Sequence, residues 1–122
     1  MINQDIIIIT GALFGMLAVI LSAFGAHGLK KRLSSEQLKN FETGVKYQMY
    51  HAIVLLLLGF NDINSSALYS CFTFGILFFS FSIYGLVISD TFSKKLRFLG
   101  PITPLGGLLL IIGWLLVIFE VL

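Results

Sequence analysis

Three stretches of this chain contain no Asp, Glu, Lys or Arg: between Asp5 and Lys30, between Asp62 and Asp90, and between Arg97 and Glu120, each more than 20 residues long. At a helical rise of about 1.5 Å per residue, ~20 apolar residues cross the ~30 Å hydrocarbon layer of a bilayer. The class this predicts is an all-α integral membrane protein. Composition agrees: 8 Lys or Arg and 6 Asp or Glu stand among 122 residues, 57% are hydrophobic, and the mean hydropathy is +0.98. A soluble domain has about twice that charge. A soluble enzyme and a nucleic-acid reader are excluded, and so is a disulfide scaffold, because Cys71 is the single cysteine and lies inside an apolar run.

The first apolar run opens Met-Ile-Asn-Gln-Asp without the basic start of a secretory signal, so it reads as a retained span over 6–28. A second span over 43–61 is shorter between its charges. It closes the bilayer if Lys46 snorkels to the headgroups and Tyr47, Gln48 and Tyr50 sit in the interfacial layer. Ser34 followed by Gln37 fits a capping box, and Leu38, Phe41 and Val45 recur at helical spacing, so an amphipathic cytoplasmic extension over 35–43 joins this span in one helix. The polar turn 61–66 leads to a third span over 67–89. After the basic connector, Gly100-Pro101-Ile102-Thr103-Pro104 breaks the chain, with Thr103 placed to cap a fourth span over 104–121. The whole is one domain: four antiparallel transmembrane helices in a compact bundle.

All eight cations fall in two places, Lys30, Lys31, Arg32, Lys39 and Lys46 after the first span and Lys94, Lys95 and Arg97 after the third, while the opposite side holds only Asp5, Asp62 and Glu120. The positive-inside rule then places both connectors in the cytoplasm and both termini outside, in a multi-pass protein of the cell membrane. The expected partners are membrane lipids, with anionic headgroups drawn to the cytoplasmic face. A homo-oligomer is open to the chain; nucleic acid is not a partner.

On a helical wheel Gly11, Gly15, Ala18, Ser22 and Gly25 fall within about 80° of one another, a stripe that lets helix backbones approach closely in lipid. Gly75 continues the theme in the third span, and Gly106 and Gly113 in the fourth. The second span differs, for Gln48 and His51 share a face and need hydrogen-bond partners at membrane depth. Two readings stay open there. These residues tie helices together, or His27, Tyr47, Gln48, His51 and Thr103 line a small polar pocket open to the cytoplasmic side. A second candidate is an anion or lipid-headgroup site at the start of the fourth helix, formed by Lys94, Lys95, Arg97 and Thr103. No metal or cofactor is called for, since two histidines without Cys or carboxylate ligands at recognisable spacing close no coordination sphere. No nucleophile motif accompanies either histidine, so no catalytic residue is assigned.

The segments Ala23-Phe24-Gly25-Ala26-His27-Gly28-Leu29, Phe41-Glu42-Thr43-Gly44-Val45-Lys46-Tyr47-Gln48-Met49-Tyr50-His51-Ala52, Gly100-Pro101-Ile102-Thr103-Pro104-Leu105-Gly106-Gly107 and Gly113-Trp114 resemble, in order and spacing, the small integral membrane proteins of the YgdD/YwdK type, domain of unknown function family four-two-three. The resemblance implies a four-helix protein of the cytoplasmic membrane, with related proteins in eukaryotes, and brings no substrate, reaction or cofactor. It marks His27, Gly44, Tyr47, Gln48, His51, Pro101, Thr103 and Pro104 as matching the family's segments. Two functions from different classes follow as expectations: a non-enzymatic module binding a lipid, a small amphiphile or a partner helix, and a small oligomeric transporter or channel using the Gln48/His51 stripe.

Overall fold

The computed structural model describes residues 2–122, which are helical throughout apart from short connectors. Helix α1 (Gln4–Phe24) starts where Asn3 accepts a hydrogen bond from the Ile6 N–H, and it runs on into a π turn, Gly25–Leu29. Helix α2 (Ser35–Phe60) opens on a complete capping box: Gln37 N–H donates to Ser34 Oγ at 3.1 Å and Ser34 N–H donates to Gln37 Oε1 at 2.9 Å. Helix α3 (Ser66–Ile76) is capped by Ser65 and passes through a second π turn, Leu77–Phe81, into α4 (Ser82–Thr91). Asp62 and Ser93, in the turns after α2 and α4, both take positive φ, the left-handed conformation that reverses a chain after a helix.

Helix α5 (Ile102–Val121) begins differently from expectation. Thr103 is not its cap: a 3₁₀ turn at Arg97–Leu99 leads through Gly100 and Pro101, both already in right-handed helical conformation, so the helix is under way before Thr103 is reached. Pro104 then falls in the first turn, where its missing N–H has no intrahelical acceptor to lose.

Three stretches, Gln4–Leu29, Ser66–Thr91 and Arg97–Val121, are long and apolar enough to cross a membrane. Helix α2 matches them in length but carries Glu36, Lys39, Glu42 and Lys46.

Glycines set how closely the helices pack. A Cβ on Gly59 would lie 2.5 Å from Ile8 Cγ1, one on Gly11 2.9 Å from the Ala52 carbonyl oxygen, and one on Gly25 2.7 Å from the Phe41 ring. As the α2 number falls the α1 number rises, so the two helices run antiparallel and in contact from end to end. Helices α3 and α5 pair the same way: Gly113 meets the Phe72 ring, Gly75 meets Leu110, and Gly106 sits against the backbone of Phe78 and Phe79 in the π turn. Side chains of α2 reach both pairs. One buried cluster joins Ile7, Phe14, Ala52, Leu55, Leu68, Phe72 and Leu110, and a second joins Leu29, Leu33, Phe41, Tyr84 and Val87. The outer faces of α1 and α5 stay apolar and uncovered, with Ile9 and Ile111 both 64% exposed.

Candidate functional site

Two polar residues of α2, Gln48 and His51, are buried, and each is held by different neighbours. Gln48 is wholly buried; its Nε2 donates to the Phe14 carbonyl of α1 at 2.8 Å, and its Oε1 accepts from the Tyr84 hydroxyl of α4 at 2.7 Å. One turn earlier, Ser80 Oγ donates to the Gly44 carbonyl at 2.7 Å, at a point where Gly44 lets the Tyr84 ring approach. A carboxamide offers donor and acceptor at once, so this one side chain ties three helices with both its nitrogen and its oxygen engaged.

His51 is 4% exposed and is fixed from both sides of its ring. Nδ1 lies 2.7 Å from the Tyr47 carbonyl oxygen, which can only accept, so the proton sits on Nδ1. Nε2 then accepts from Trp114 Nε1–H at 3.0 Å. The imidazole is therefore held as the neutral Nδ1–H tautomer, stacked beside Tyr47 and packed against Phe72 and Trp114. A cavity of about 340 Å³ opens here between Tyr47, His51, Phe79, Leu110 and Trp114. Its walls are nearly all carbon, and with both ring nitrogens engaged His51 offers it no free donor or acceptor.

The five residues expected to share a polar pocket are spread over four places. Tyr47 and His51 line the aromatic cavity; Gln48 points into the α1–α2–α4 contact. The Thr103 hydroxyl is bonded to Ser82 Oγ, which also lies against the Phe78 and Phe79 carbonyls of the π turn and donates to them. Thr103 borders a cavity of about 410 Å³ with Asn40, Thr43 and Pro104. His27 is exposed in the π turn that ends the first helix. The expected anion site is likewise not assembled: Lys94, Lys95 and Arg97 are exposed in the connector, while Thr103 engages Ser82 and the Leu99 carbonyl instead of the cations. Among the described residues no three His, Cys, Asp or Glu side chains converge.

Sequence reasoning missed Ser80, Ser82, Tyr84 and the Trp114 indole as polar partners. A signal existed for three of them. Ser80 and Tyr84 lie one helical turn apart, and an indole N–H in the middle of an apolar span needs an acceptor.

A third region lies between α1 and α2, on the side away from α5. Two adjoining cavities, of about 340 and 550 Å³, share Ser22, Ala26, Val45 and Lys46. The smaller adds Gly25, Phe41 and Glu42, and the larger adds Val19, His27, Met49 and Tyr50. The groove exists because the end of the first helix and its π turn present the small side chains Ser22, Gly25 and Ala26 opposite the long ones of α2.

Three long apolar helices, glycine-mediated packing and inward-facing polar groups define an all-helical membrane protein with transmembrane helices. Residues 21–107 match the family described as "Protein of unknown function (DUF423)", and the chain belongs to that family. The UPF0382 membrane protein SSP2132 of Staphylococcus saprophyticus is 43% identical over 119 residues, covering 94% of this chain and 95% of the relative. A UPF0382 membrane protein of Staphylococcus epidermidis is 43% identical over 98% of this chain and 97% of its own length. The UPF0382 membrane protein YwdK of Bacillus subtilis is 40% identical over 94% of each chain. No solved structure matches.

Proposed function

We propose that the chain crosses the cell membrane four times with both termini outside, and that it is a non-enzymatic module which binds a lipid or other small amphiphile in the groove between α1 and α2, at its cytoplasmic half. The observation that carries this reading is the pair of adjoining cavities sharing Ser22, Ala26, Val45 and Lys46. Lys46 lies five residues from Phe41, which packs on Gly25 near the cytoplasmic end of α1. At helical rise it is therefore roughly 8 Å further toward the bilayer centre. A cation at that depth beside a notch of small residues suits a polar head, and the apolar walls beyond it suit a chain. The exposed cations of the connectors add a less selective attraction for anionic headgroups.

A transport path along Gln48 and His51 is disfavoured by the same hydrogen bonds that bury them, since neither side chain has a polar atom free to pass a solute on. The test is native mass spectrometry from a mild detergent. The wild type is expected to retain lipid, and Ala26→Leu, which fills the notch from an exposed position, is expected to lose it. Equal retention by both would remove the groove as the site.

A further inference from the structure

Within that groove reading, we propose that the occupant is a glycerophospholipid with a zwitterionic, amine-bearing headgroup, its phosphate at Lys46 and its ammonium at Glu42. The smaller cavity is bordered by one carboxylate and one ammonium, Glu42 and Lys46, one helical turn apart on the same wall of α2. Their charges cancel. A headgroup with a phosphate alone would satisfy Lys46 and leave Glu42 facing its negative charge; a headgroup holding phosphate and amine presents both signs to both residues. His27 borders the larger cavity together with Lys46.

The order of the residues agrees with the orientation of a lipid in the inner leaflet. Glu42 lies on the connector side of Lys46, so the amine sits outermost, the phosphate deeper, and an acyl chain continues past Val19, Met49 and Tyr50 toward the bilayer centre. Tyr50 is 52% exposed and flanks that route with an aromatic face. This is distinct from the connector cations, which attract anionic lipids from the open surface and have no carboxylate set into a cavity beside them.

The experiment is native mass spectrometry of the full chain in mild detergent, titrated in parallel with dioleoyl phosphatidylethanolamine and dioleoyl phosphatidylglycerol. The wild type is expected to carry about threefold more of the ethanolamine lipid, the size of effect that one partly exposed ion pair supports. Glu42→Gln is expected to abolish that preference and Lys46→Gln to weaken both lipids, while Lys95→Gln leaves the preference intact. All three altered side chains are exposed, and an unchanged helical circular dichroism spectrum serves as the folding control. A preference for the glycerol lipid that depends on Lys46, or a ratio unmoved by Glu42→Gln, overturns this inference and leaves the groove as a lipid site. Binding of neither lipid above the level of Ala26→Leu, or a lipid-free dimer that Ala26→Leu dissociates, overturns both.

Discussion

Gln48 and His51 carry the largest polar cost in the molecule, and both are stabilised by partners rather than by exposure. Replacing Gln48 with Leu keeps the volume but leaves the buried Tyr84 hydroxyl without its acceptor, a loss worth about 1–3 kcal/mol. Thermal unfolding in detergent is expected to fall accordingly. The double variant Gln48→Leu/Tyr84→Phe is expected to recover part of the loss, because it removes the orphaned hydroxyl; a double variant as unstable as the sum of the singles would show that the two do not act as a pair. For His51, a proton taken up at Nε2 would face the Trp114 N–H donor directly. Proteoliposomes containing wild type and His51→Ala are therefore expected to leak protons at the same rate, and a leak that disappears with His51 would favour transport after all. That these side chains are buried was legible in the sequence, from two polar residues one turn apart in an apolar span. Their partners were not. Phe14, Tyr84 and Trp114 lie 34, 36 and 63 positions away, and only the packing of the helices chooses among the donors and acceptors available.

Between elements, the small residues of the helical wheel are not equivalent: Gly11, Gly25, Gly75, Gly106 and Gly113 lie against a neighbouring helix, while Ser22 is exposed beside the groove. Gly11 and Gly15 form one GxxxG, yet a Cβ on Gly11 would meet the Ala52 carbonyl oxygen at 2.9 Å and one on Gly15 would meet Ala52 Cβ at an ordinary 3.9 Å. Backbone cannot rotate away as a side chain can. Gly11→Ala is expected to cost about 1–3 kcal/mol through a forced separation of α1 and α2. Gly15→Ala is expected to be neutral or to gain up to about 1 kcal/mol from helix propensity. Chemical denaturation of the two variants side by side decides it, and equal losses would mean that the motif acts as a unit. Gly44 and Gly59 pack as closely as the glycines of the stripes, against Tyr84 and Ile8, but α2 has no stripe to announce them. The π turn at Leu77–Phe81 was not legible either. It has no residue signature, and it is accommodated by Ser82 Oγ donating to the Phe78 and Phe79 carbonyls and by Gly106 admitting the backbone of Phe78 and Phe79. The misplaced start of α5 has a similar origin: Pro and Gly mark a break in the sequence, but both here adopt helical angles.

For the molecule as a whole, the decisive question is whether α2 crosses the membrane with the other three. Its charges argue against it when the helix is read alone, and its packing argues for it. The contacts of Gly59 with Ile8 and of Phe41 with Gly25 match residues 41–59 of α2 to nearly the whole apolar length of α1. That span of α2 is about 27 Å tall, close to the hydrocarbon thickness. A helix lying flat on the cytoplasmic surface could not keep both contacts. It would also break the charge rule: with α2 outside the bilayer, the next crossing would carry Lys94, Lys95 and Arg97 to the far side. The proposed topology therefore predicts that, in a Cys71→Ser background, a membrane-impermeant thiol reagent applied to intact cells labels Asn64→Cys in the turn after α2, and labels Lys95→Cys only after the membrane is opened. Labelling of Lys95→Cys in intact cells, with Asn64→Cys protected, would overturn it. If Ser35→Cys is labelled too, the orientation is reversed and the mouth of the α1/α2 groove moves to the outer leaflet; if Ser35→Cys is protected, α2 lies on the cytoplasmic surface and Lys46 loses the depth that gives it its phosphate. Labelling of both Asn64→Cys and Lys95→Cys would mean that α3 and α4 do not cross between the two positions, and the four-span topology would fall.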